Sequence, residues 1–188
     1  LTVTLAVVTG RGWRELRPTE RADAHLPLPT LAAVTTTLVF GQVILGAFMR
    51  HMGAGLAIPD FPLAFGRLLP PLATPLITVH FAHRVGALVV SVAVAWTVVR
   101  VLRQHAGEGA LRRPALLAAC LVIAQVTLGA VTIWSRRAVV PTTTHLVVGA
   151  ALLATTLTLT LRAGRLIAVH APRNARLSVG GRAIACPP

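Results

Sequence analysis

The sequence contains no lysine and no tyrosine, and acidic residues are almost as scarce, with only five Asp and Glu in 188 residues. Aromatic residues make up 4% of the chain, and the two cysteines, Cys120 and Cys186, are too few for a disulfide framework or a cysteine metal site. The chain is 55% apolar, which excludes a disordered basic tail. It is also more apolar than an ordinary soluble domain, which indicates a membrane protein.

All 18 basic residues are arginines, and they give a formal net charge of +13. A charge of this size raises nucleic acid as a partner, but nucleic-acid-binding domains concentrate basic residues on one folded face or one helix. Here the arginines stand in short clusters between long uncharged stretches. This pattern is typical of topology signals in a membrane protein, so no nucleic-acid partner is expected.

Four uncharged stretches are long enough to cross about 30 Å of hydrocarbon, which takes roughly 20 helical residues. They cover residues 29–49, 75–99, 114–135 and 139–161. Three of them begin at a proline, which the first helical turn tolerates because the missing N–H has no partner there. The sequence therefore predicts an all-α fold, an integral membrane four-helix bundle over residues 29–161.

Arginine placement orients these helices. Three segments fall on one side of the membrane: residues 10–28, the connection between the second and third helices, and residues 162–188. Together they carry thirteen arginines, whereas the segments on the opposite side carry four. The positive-inside rule then makes 10–28 a cytoplasmic loop and 162–188 a basic cytoplasmic tail, with both termini cytoplasmic. Residues 1–9 are apolar but too short to span, and we interpret them as the tail of a preceding transmembrane helix.

An internal repeat relates the two halves of the predicted bundle. The sequence Gln-Val-Ile-Leu-Gly-Ala at residues 42–47 returns as Gln-Val-Thr-Leu-Gly-Ala at residues 125–130, an offset of 83 residues with five of six positions identical. The helix after each copy carries a histidine, His83 or His145, with a Gly-Ala pair just beyond it. The bundle is thus predicted to consist of two parallel αα-hairpin repeats related by an axis along the membrane normal.

The repeat places His83 and His145 at similar depth on opposite sides of the predicted interior. Two facing imidazoles in a helix bundle can hold a haem iron from both sides, and the Gly-Ala pairs would leave room for the flat macrocycle. The alternative for each histidine is a hydrogen bond to a neighbouring backbone carbonyl. Because ionisable residues inside membrane spans are rare, two of them at matched positions favour iron ligation.

The loop after the first repeat motif, residues 50–63, reads Arg-His-Met-Gly-Ala-Gly-Leu-Ala-Ile-Pro-Asp-Phe-Pro-Leu. This R-x-x-G-x-G-L-x-x-P-D-[FW]-P-L string, with His83-Arg84, the two repeat motifs and His145, resembles the haem A synthase family over about residues 1–165. The resemblance implies a membrane oxidoreductase of eight helices in two similar four-helix bundles, which oxidises a methyl group of haem O to the formyl group of haem A. It also implies a histidine pair in each bundle, one for the haem substrate and one for a haem b.

The chain resembles the C-terminal, haem b-holding half of that family. The N-terminal half carries a glutamate implicated in catalysis, in an E-x-x-H-R arrangement, where this chain has His80, and no Asp or Glu lies in any of the four spans. The resemblance makes His83 and His145 the axial ligands of the iron and leaves the catalytic residues unknown. Cysteines that many members carry in the outer loop correspond here to Ile58 and Ala64.

Arg84 and His80 are further candidates for binding the cofactor. A lone charge inside a span costs about 2.5–3.5 kcal/mol, so Arg84 is expected to pair with a haem propionate, with snorkelling to the outer surface as the alternative. His80 lies one helical turn before His83. It is expected either to orient a propionate or ligand, or to be a buried histidine bonded to the backbone of the last helix.

Other polar residues have simpler expectations. Gln42 and Gln125 lie in mid-span and are expected to bond across helices. Asp60, the only acid on the outer side, is expected to shape a turn or to pair with Arg50.

The sequence thus predicts a haem-binding membrane domain that contributes to haem A biosynthesis and cytochrome oxidase assembly, in the plasma (inner) membrane of a bacterium. The expected partners are the lipid membrane, haem, haem O synthase, and the missing N-terminal half or a second copy, which haem A formation would require. Two alternatives stay open. One is a non-enzymatic or degenerate membrane b-type cytochrome or haem carrier, favoured by the missing glutamate and cysteines, and the other is a haem-free transporter bundle.

Overall fold

A computed structural model describes residues 2–10, 13, 16 and 26–166. These residues form the helices α1 (Thr2–Thr9), α2 (Leu28–His51), α3 (Pro75–Gln104), α4 (Gly109–Trp134) and α5 (Val139–Leu166), with a 3-10 turn η1 (Ala54–Leu56) after α2. Helices α2 to α5 are each long and apolar enough to cross a membrane, which confirms the predicted four-helix membrane bundle. The predicted cytoplasmic segments 10–28 and 162–188 lie mostly outside the described residues.

The four long helices pack in chain order around the bundle. Helix α2 packs against α3 and α5, and α4 packs against the same two helices, so α3 and α5 are diagonal to each other. Helix α1 packs against α5. We call the end of the bundle with loops 52–74 and 135–138 the outer end, and the end with loop 105–108 the inner end.

Helix α4 begins at Gly109, ahead of the predicted start, and Pro114 lies inside it. Proline lacks the N–H that would bond the carbonyl four residues earlier, which is that of Ala110. Arg162 of α5 supplies the missing donor, because its Nη1 lies 3.1 Å from Ala110 O. The prediction that this helix starts at Pro114 was therefore wrong, since a guanidinium of the next helix satisfies the freed carbonyl.

The first hairpin has an equivalent contact at its inner end. Arg100 of α3 precedes Arg162 by the same 62 residues that separate His83 from His145. Its Nη2 donates to Leu26 O, 2.9 Å away, just before α2 begins. The repeat therefore extends along the hairpin beyond the motif in which it was found, and each hairpin is tied at its inner end by a charged hydrogen bond.

Packing is tight in the inner half of the bundle and loose in the outer half. The inner half contains most of the core, including Leu31, Val94, Val98 and Leu159, and a buried bond of 2.8 Å joins the hydroxyls of Thr35 and Thr97. In contrast, no side chain is buried in residues 40–51, 81–89, 119–129 or 139–148. The inner half of the interior is thus closely packed, whereas these outer stretches of the helices contribute no buried side chain to the core.

Candidate functional site

His83 of α3 and His145 of α5 lie in the loosely packed outer half, on the two diagonal helices. Both side chains are half-buried, and the two are near enough for their charges to interact. The structure therefore brings together the two histidines that the repeat singled out.

Each imidazole packs against a glycine of the preceding helix. A Cβ atom on Gly46 would lie 3.0 Å from Cε1 of His83, and one on Gly129 would lie 3.5 Å from Cε1 of His145. Any longer side chain at either glycine would occupy the space of the ring. The glycine of each Gln-Val-x-Leu-Gly-Ala motif thus leaves the space that an imidazole occupies. The sequence did not predict this role, although the presence of the glycine in both copies of the motif could have indicated it.

The glutamine of each motif lies against a glycine of the next helix. A Cβ atom on Gly86 would overlap Oε1 of Gln42, and one on Gly149 would lie 2.9 Å from Nε2 of Gln125. These glycines were expected to make room for a macrocycle, but in the structure they accommodate the glutamines. The Gln42 amide donates to the carbonyl of His83 at 2.8 Å and lies 3.0 Å from its Nδ1, so the expected bond across helices is confirmed there.

In the second hairpin the equivalent glutamine lies against Gly149 and the equivalent histidine against Gly129, without that bond. Oε1 of Gln125 and Nδ1 of His145 are both buried, and neither has a hydrogen-bond partner among the described residues. A buried polar atom left without a partner costs about 1–3 kcal/mol, so an arrangement that pairs these two atoms is favoured.

Alanine in place of Gly46 and alanine in place of Gly129 should change the stability of the chain differently. Gly→Ala in a helix interior stabilises by up to about 1 kcal/mol, so Gly129→Ala, whose Cβ meets His145 at an ordinary 3.5 Å, is expected to raise the thermal midpoint of unfolding. Gly46→Ala meets His83 at 3.0 Å, and that crowding should cancel the gain. Circular dichroism melting in detergent checks this, and equal shifts in both variants would contradict the asymmetry.

His80 and Arg84 bind the outer loop, residues 52–74. The backbone N–H of Ile58 donates to Nδ1 of His80 at 3.2 Å, so this buried histidine is satisfied by the loop and not by the last helix. The guanidinium of Arg84 donates to the carbonyls of Ile58, Asp60 and Leu63 at 3.2, 2.6 and 2.9 Å. Its Nε is buried, and none of the described residues forms a hydrogen bond with it. Arg84 therefore holds the loop onto α3 at three backbone carbonyls.

Apolar contacts complete the attachment of the loop. Ile58 and Ala64, which the resemblance aligns with cysteines, are 0% and 2% exposed and serve as anchors beneath the loop. The ring of Phe61 meets Trp134 of α4 edge-on, with centroids 6.2 Å apart, and η1 packs against α2 and α3. The loop thus rests on the outer ends of three of the four spanning helices.

Asp60 shapes a tight turn within this loop, as one of its two expected roles required. Its carboxylate oxygens accept the backbone N–H groups of Phe65 and Gly66, each at 2.8 Å, and both of these residues have positive φ. The N–H groups of Gly66 and then Phe65 stabilise the charged form, which lowers the pKa of Asp60 below its usual 3.8.

The turn should therefore loosen only in acid. Because the folded-state pKa is lowered, the contribution of Asp60 is present above the usual value of 3.8 and is lost as the pH falls through the lowered one. Emission of Trp134, which contacts the loop through Phe61, reports this in a chain with Trp13→Phe and Trp96→Phe. We expect emission to stay constant from pH 7 to about 4 and to change below it. Asp60→Asn should remove that transition, and an unchanged acid transition in this variant would refute the assignment.

Four exposed arginines surround the outer end, and they are Arg50, Arg67, Arg136 and Arg137. The last two take positive φ values of 51° and 66° in the short turn between α4 and α5, an uncommon conformation for a side chain with a Cβ. The side chain of Arg137 lies beside Gly55 of η1. With Asp60 as the only acid on this side, the outer end of the bundle is strongly cationic.

Comparison of the sequence with known proteins identifies relatives of this chain. Residues 1–157 match the family model COX15-CtaA, described as cytochrome oxidase assembly protein. The chain is 37% identical over 134 residues to the Heme A synthase of Symbiobacterium thermophilum, a match that covers 69% of the chain and 42% of the relative. A Heme A synthase of Bradyrhizobium sp. is 29% identical over 148 residues, covering 71% of the chain and 41% of the relative. The chain thus spans less than half the length of these curated relatives.

Proposed function

The chain belongs to the haem A synthase family of cytochrome oxidase assembly proteins, and we propose that it is the half of such an enzyme that holds a haem b between His83 and His145. In the complete enzyme, a methyl group of haem O is oxidised to the formyl group of haem A. The observation that carries the proposal is the proximity of two repeat-related imidazoles on diagonal helices, each within a stretch of its helix that has no buried side chain.

The residues around the two histidines suit this group. Neutral imidazoles are standard axial ligands of haem iron, and the iron supplies one-electron redox chemistry when bound. Nδ1 of His145 is buried without a partner among residues 26–166, and a ring that ligates iron through its other nitrogen would need an acceptor at this atom. The tight inner half of the bundle excludes water from below the site, which keeps its surroundings apolar.

The cationic outer end suits the two propionates of a haem. Arginines bind carboxylates through paired hydrogen bonds, and the exposed Arg136 and Arg137 lie at the outer end of the bundle. Arg84 lies deeper, and although three of its bonds go to the loop, its buried Nε is left for another acceptor. We propose that Arg84 and the adjacent His80 border the propionate side of the haem.

Formation of haem A needs more than this chain in our proposal. No acidic side chain lies in the four spans, and His80 stands where the catalytic half of the family has glutamate. The role proposed for this half is to hold the haem b that accompanies the reaction, with the N-terminal half or a second copy completing the enzyme. Haem O synthase, which makes the substrate, is the proposed supplier.

A second candidate is a non-enzymatic membrane b-type cytochrome or haem carrier. It is favoured by the absence of acids from the spans and by the apolar Ile58 and Ala64 at the loop positions discussed above. Membranes that contain the chain, supplied with haem O and a reductant in air, separate the two candidates. Haem A detected by chromatography supports the enzyme, and haem binding without haem A, also after addition of an N-terminal half from a relative, supports the carrier.

The direct test of the haem site is spectroscopic. The full chain, purified in detergent from cells supplied with haem, is expected to show a Soret band, a b-type pyridine haemochrome spectrum and a low-spin ferric electron paramagnetic resonance signal. Absence of all three from folded protein would refute the proposal.

We also propose that the chain lies in the plasma (inner) membrane of a bacterium with both termini in the cytoplasm. The count of 13 arginines on one side against four on the other supports this orientation. Alkaline phosphatase fused after residue 188 should be inactive, and fused within loop 52–74 active. The reverse result would show that the bundle has the opposite orientation in the membrane.

A further inference from the structure

We infer that Gln42 and Gln125 are positioning residues for the two imidazoles, and that each amide pairs with Nδ1 of its histidine and so leaves Nε2 free to bind iron. This inference rests on the proposed haem site. It goes further by giving a function to the glutamine that opens each repeat motif.

The first hairpin shows the amide in contact with the ring. Nε2 of Gln42 donates to the carbonyl of His83 and lies 3.0 Å from Nδ1 of the same residue. An Nδ1 atom that accepts a hydrogen bond has no proton, so the proton of the neutral ring is on Nε2. That tautomer cannot ligate iron through Nε2, and iron binding requires the proton to move to Nδ1, where it needs an acceptor.

A primary amide can satisfy Nδ1 in either tautomer. Its NH₂ group donates to a bare Nδ1, and its carbonyl oxygen accepts from a protonated one. Oε1 of Gln42 now points at Gly86, where a Cβ atom would overlap it. The missing side chain at Gly86 gives the amide room to turn its oxygen toward the ring. Glutamine facing glycine is thus a pair suited to both the haem-free and the haem-bound ring.

In the second hairpin, the corresponding acceptor and ring nitrogen are not yet paired. In the part of the chain that the structure describes, no donor reaches Oε1 of Gln125 and no partner reaches Nδ1 of His145, and both atoms are buried. A proton on Nδ1 of His145 donated to Oε1 of Gln125 satisfies both atoms at once. It also selects the tautomer whose Nε2 can bind iron and makes the ring a stronger electron donor.

Methionine in place of each glutamine tests the inference, since it keeps the length of the side chain and removes the amide. We expect Gln42→Met and Gln125→Met to keep a low-spin ferric signal. They should lose haem to excess apomyoglobin about 10-fold faster, within the range known for partners of metal ligands. The midpoint potential of the haem should rise, because a ring without its acceptor stabilises ferric iron less. Gln104→Met, an exposed glutamine at the inner end, is the matched control.

A second pair of variants moves the Gln42 amide without changing it. Gly86→Ala overlaps the amide oxygen and should reproduce the rise in potential, whereas Gly41→Ala, with nothing within 4 Å of its Cβ, should not. Gln42→Glu keeps size and acceptor, so it should retain haem as the unsubstituted chain does and lower the potential. If methionine prevents folding, these variants decide the question.

The outcomes separate this inference from the proposed function. If the unsubstituted chain binds haem through His83 and His145 but Gln42→Met, Gln125→Met and Gly86→Ala match their controls in haem loss and potential, the positioning role is refuted and the haem site stands. If the unsubstituted, folded chain binds no haem, both fail.

Discussion

Alanine in place of His83 or of His145 is expected to reduce the haem content of the purified chain by more than about tenfold, because axial ligation supplies the specific bonds that hold the iron. The two variants should act alike, since the repeat gives the histidines equivalent positions on diagonal helices. The measurement is the ratio of Soret absorbance to protein. Imidazole added at millimolar concentration should restore part of the low-spin spectrum, because it can enter the space that the side chain leaves.

The control for these variants is His51→Ala. His51 ends α2 and is exposed, so its removal should leave the Soret band unchanged. Full haem content in both His83→Ala and His145→Ala would contradict the ligand assignment, and loss in only one of them would contradict the symmetric arrangement.

Methionine in place of Arg84 is expected to release the outer loop. The guanidinium donates to three loop carbonyls, and hydrogen bonds to a charged group contribute about 1.5–3 kcal/mol each when well shielded. Because the group is partly exposed, we expect the three bonds together to contribute less than their sum, about 2–3 kcal/mol. Protease cleavage between residues 52 and 74 should accelerate by at least about tenfold, which is the change that 1.4 kcal/mol produces in an equilibrium constant.

Arg67→Met is the matched control, because Arg67 is an exposed arginine in the same loop. It should leave the cleavage rate near that of the unsubstituted chain. Arg84→Lys should behave like Arg84→Met, since an ammonium cannot reach three carbonyls with the geometry of a guanidinium. Equal cleavage rates in Arg84→Met and Arg67→Met would show that the loop is held by its apolar anchors, Ile58 and Ala64.

The spanning helices were predictable because each membrane span requires about 20 consecutive, mainly apolar residues. Long uncharged stretches located all four helices, and the arginine clusters separated them. Their ends were less predictable. Pro114 is a usual helix start by local rules, and only the carbonyl of Ala110, reached by Arg162 from another helix, explains why α4 begins earlier.

The proximity of the two histidines was predictable to the same extent as the repeat. Comparison of the chain with itself found His83 and His145, and the 62-residue offset between them also relates Arg100 to Arg162. The partner of each side chain was not predictable. Arg84 and His80 were expected to face a propionate or another helix, and their observed bonds are to the outer loop. A loop of more than twenty residues can fold back in many ways, so its contacts do not follow from spacing alone.

The sequence by itself determined that this chain is a four-helix membrane bundle with an internal repeat and a matched histidine pair. These properties depend on apolar length, on arginine placement and on self-similarity, all of which are read along the chain. The tertiary structure alone decided that glycine at residues 46 and 129 seats an imidazole and that glycine at residues 86 and 149 faces a glutamine amide. Such pairings join atoms of different helices across a few ångströms, and they depend on how the helices are rotated and spaced, which no single helix specifies.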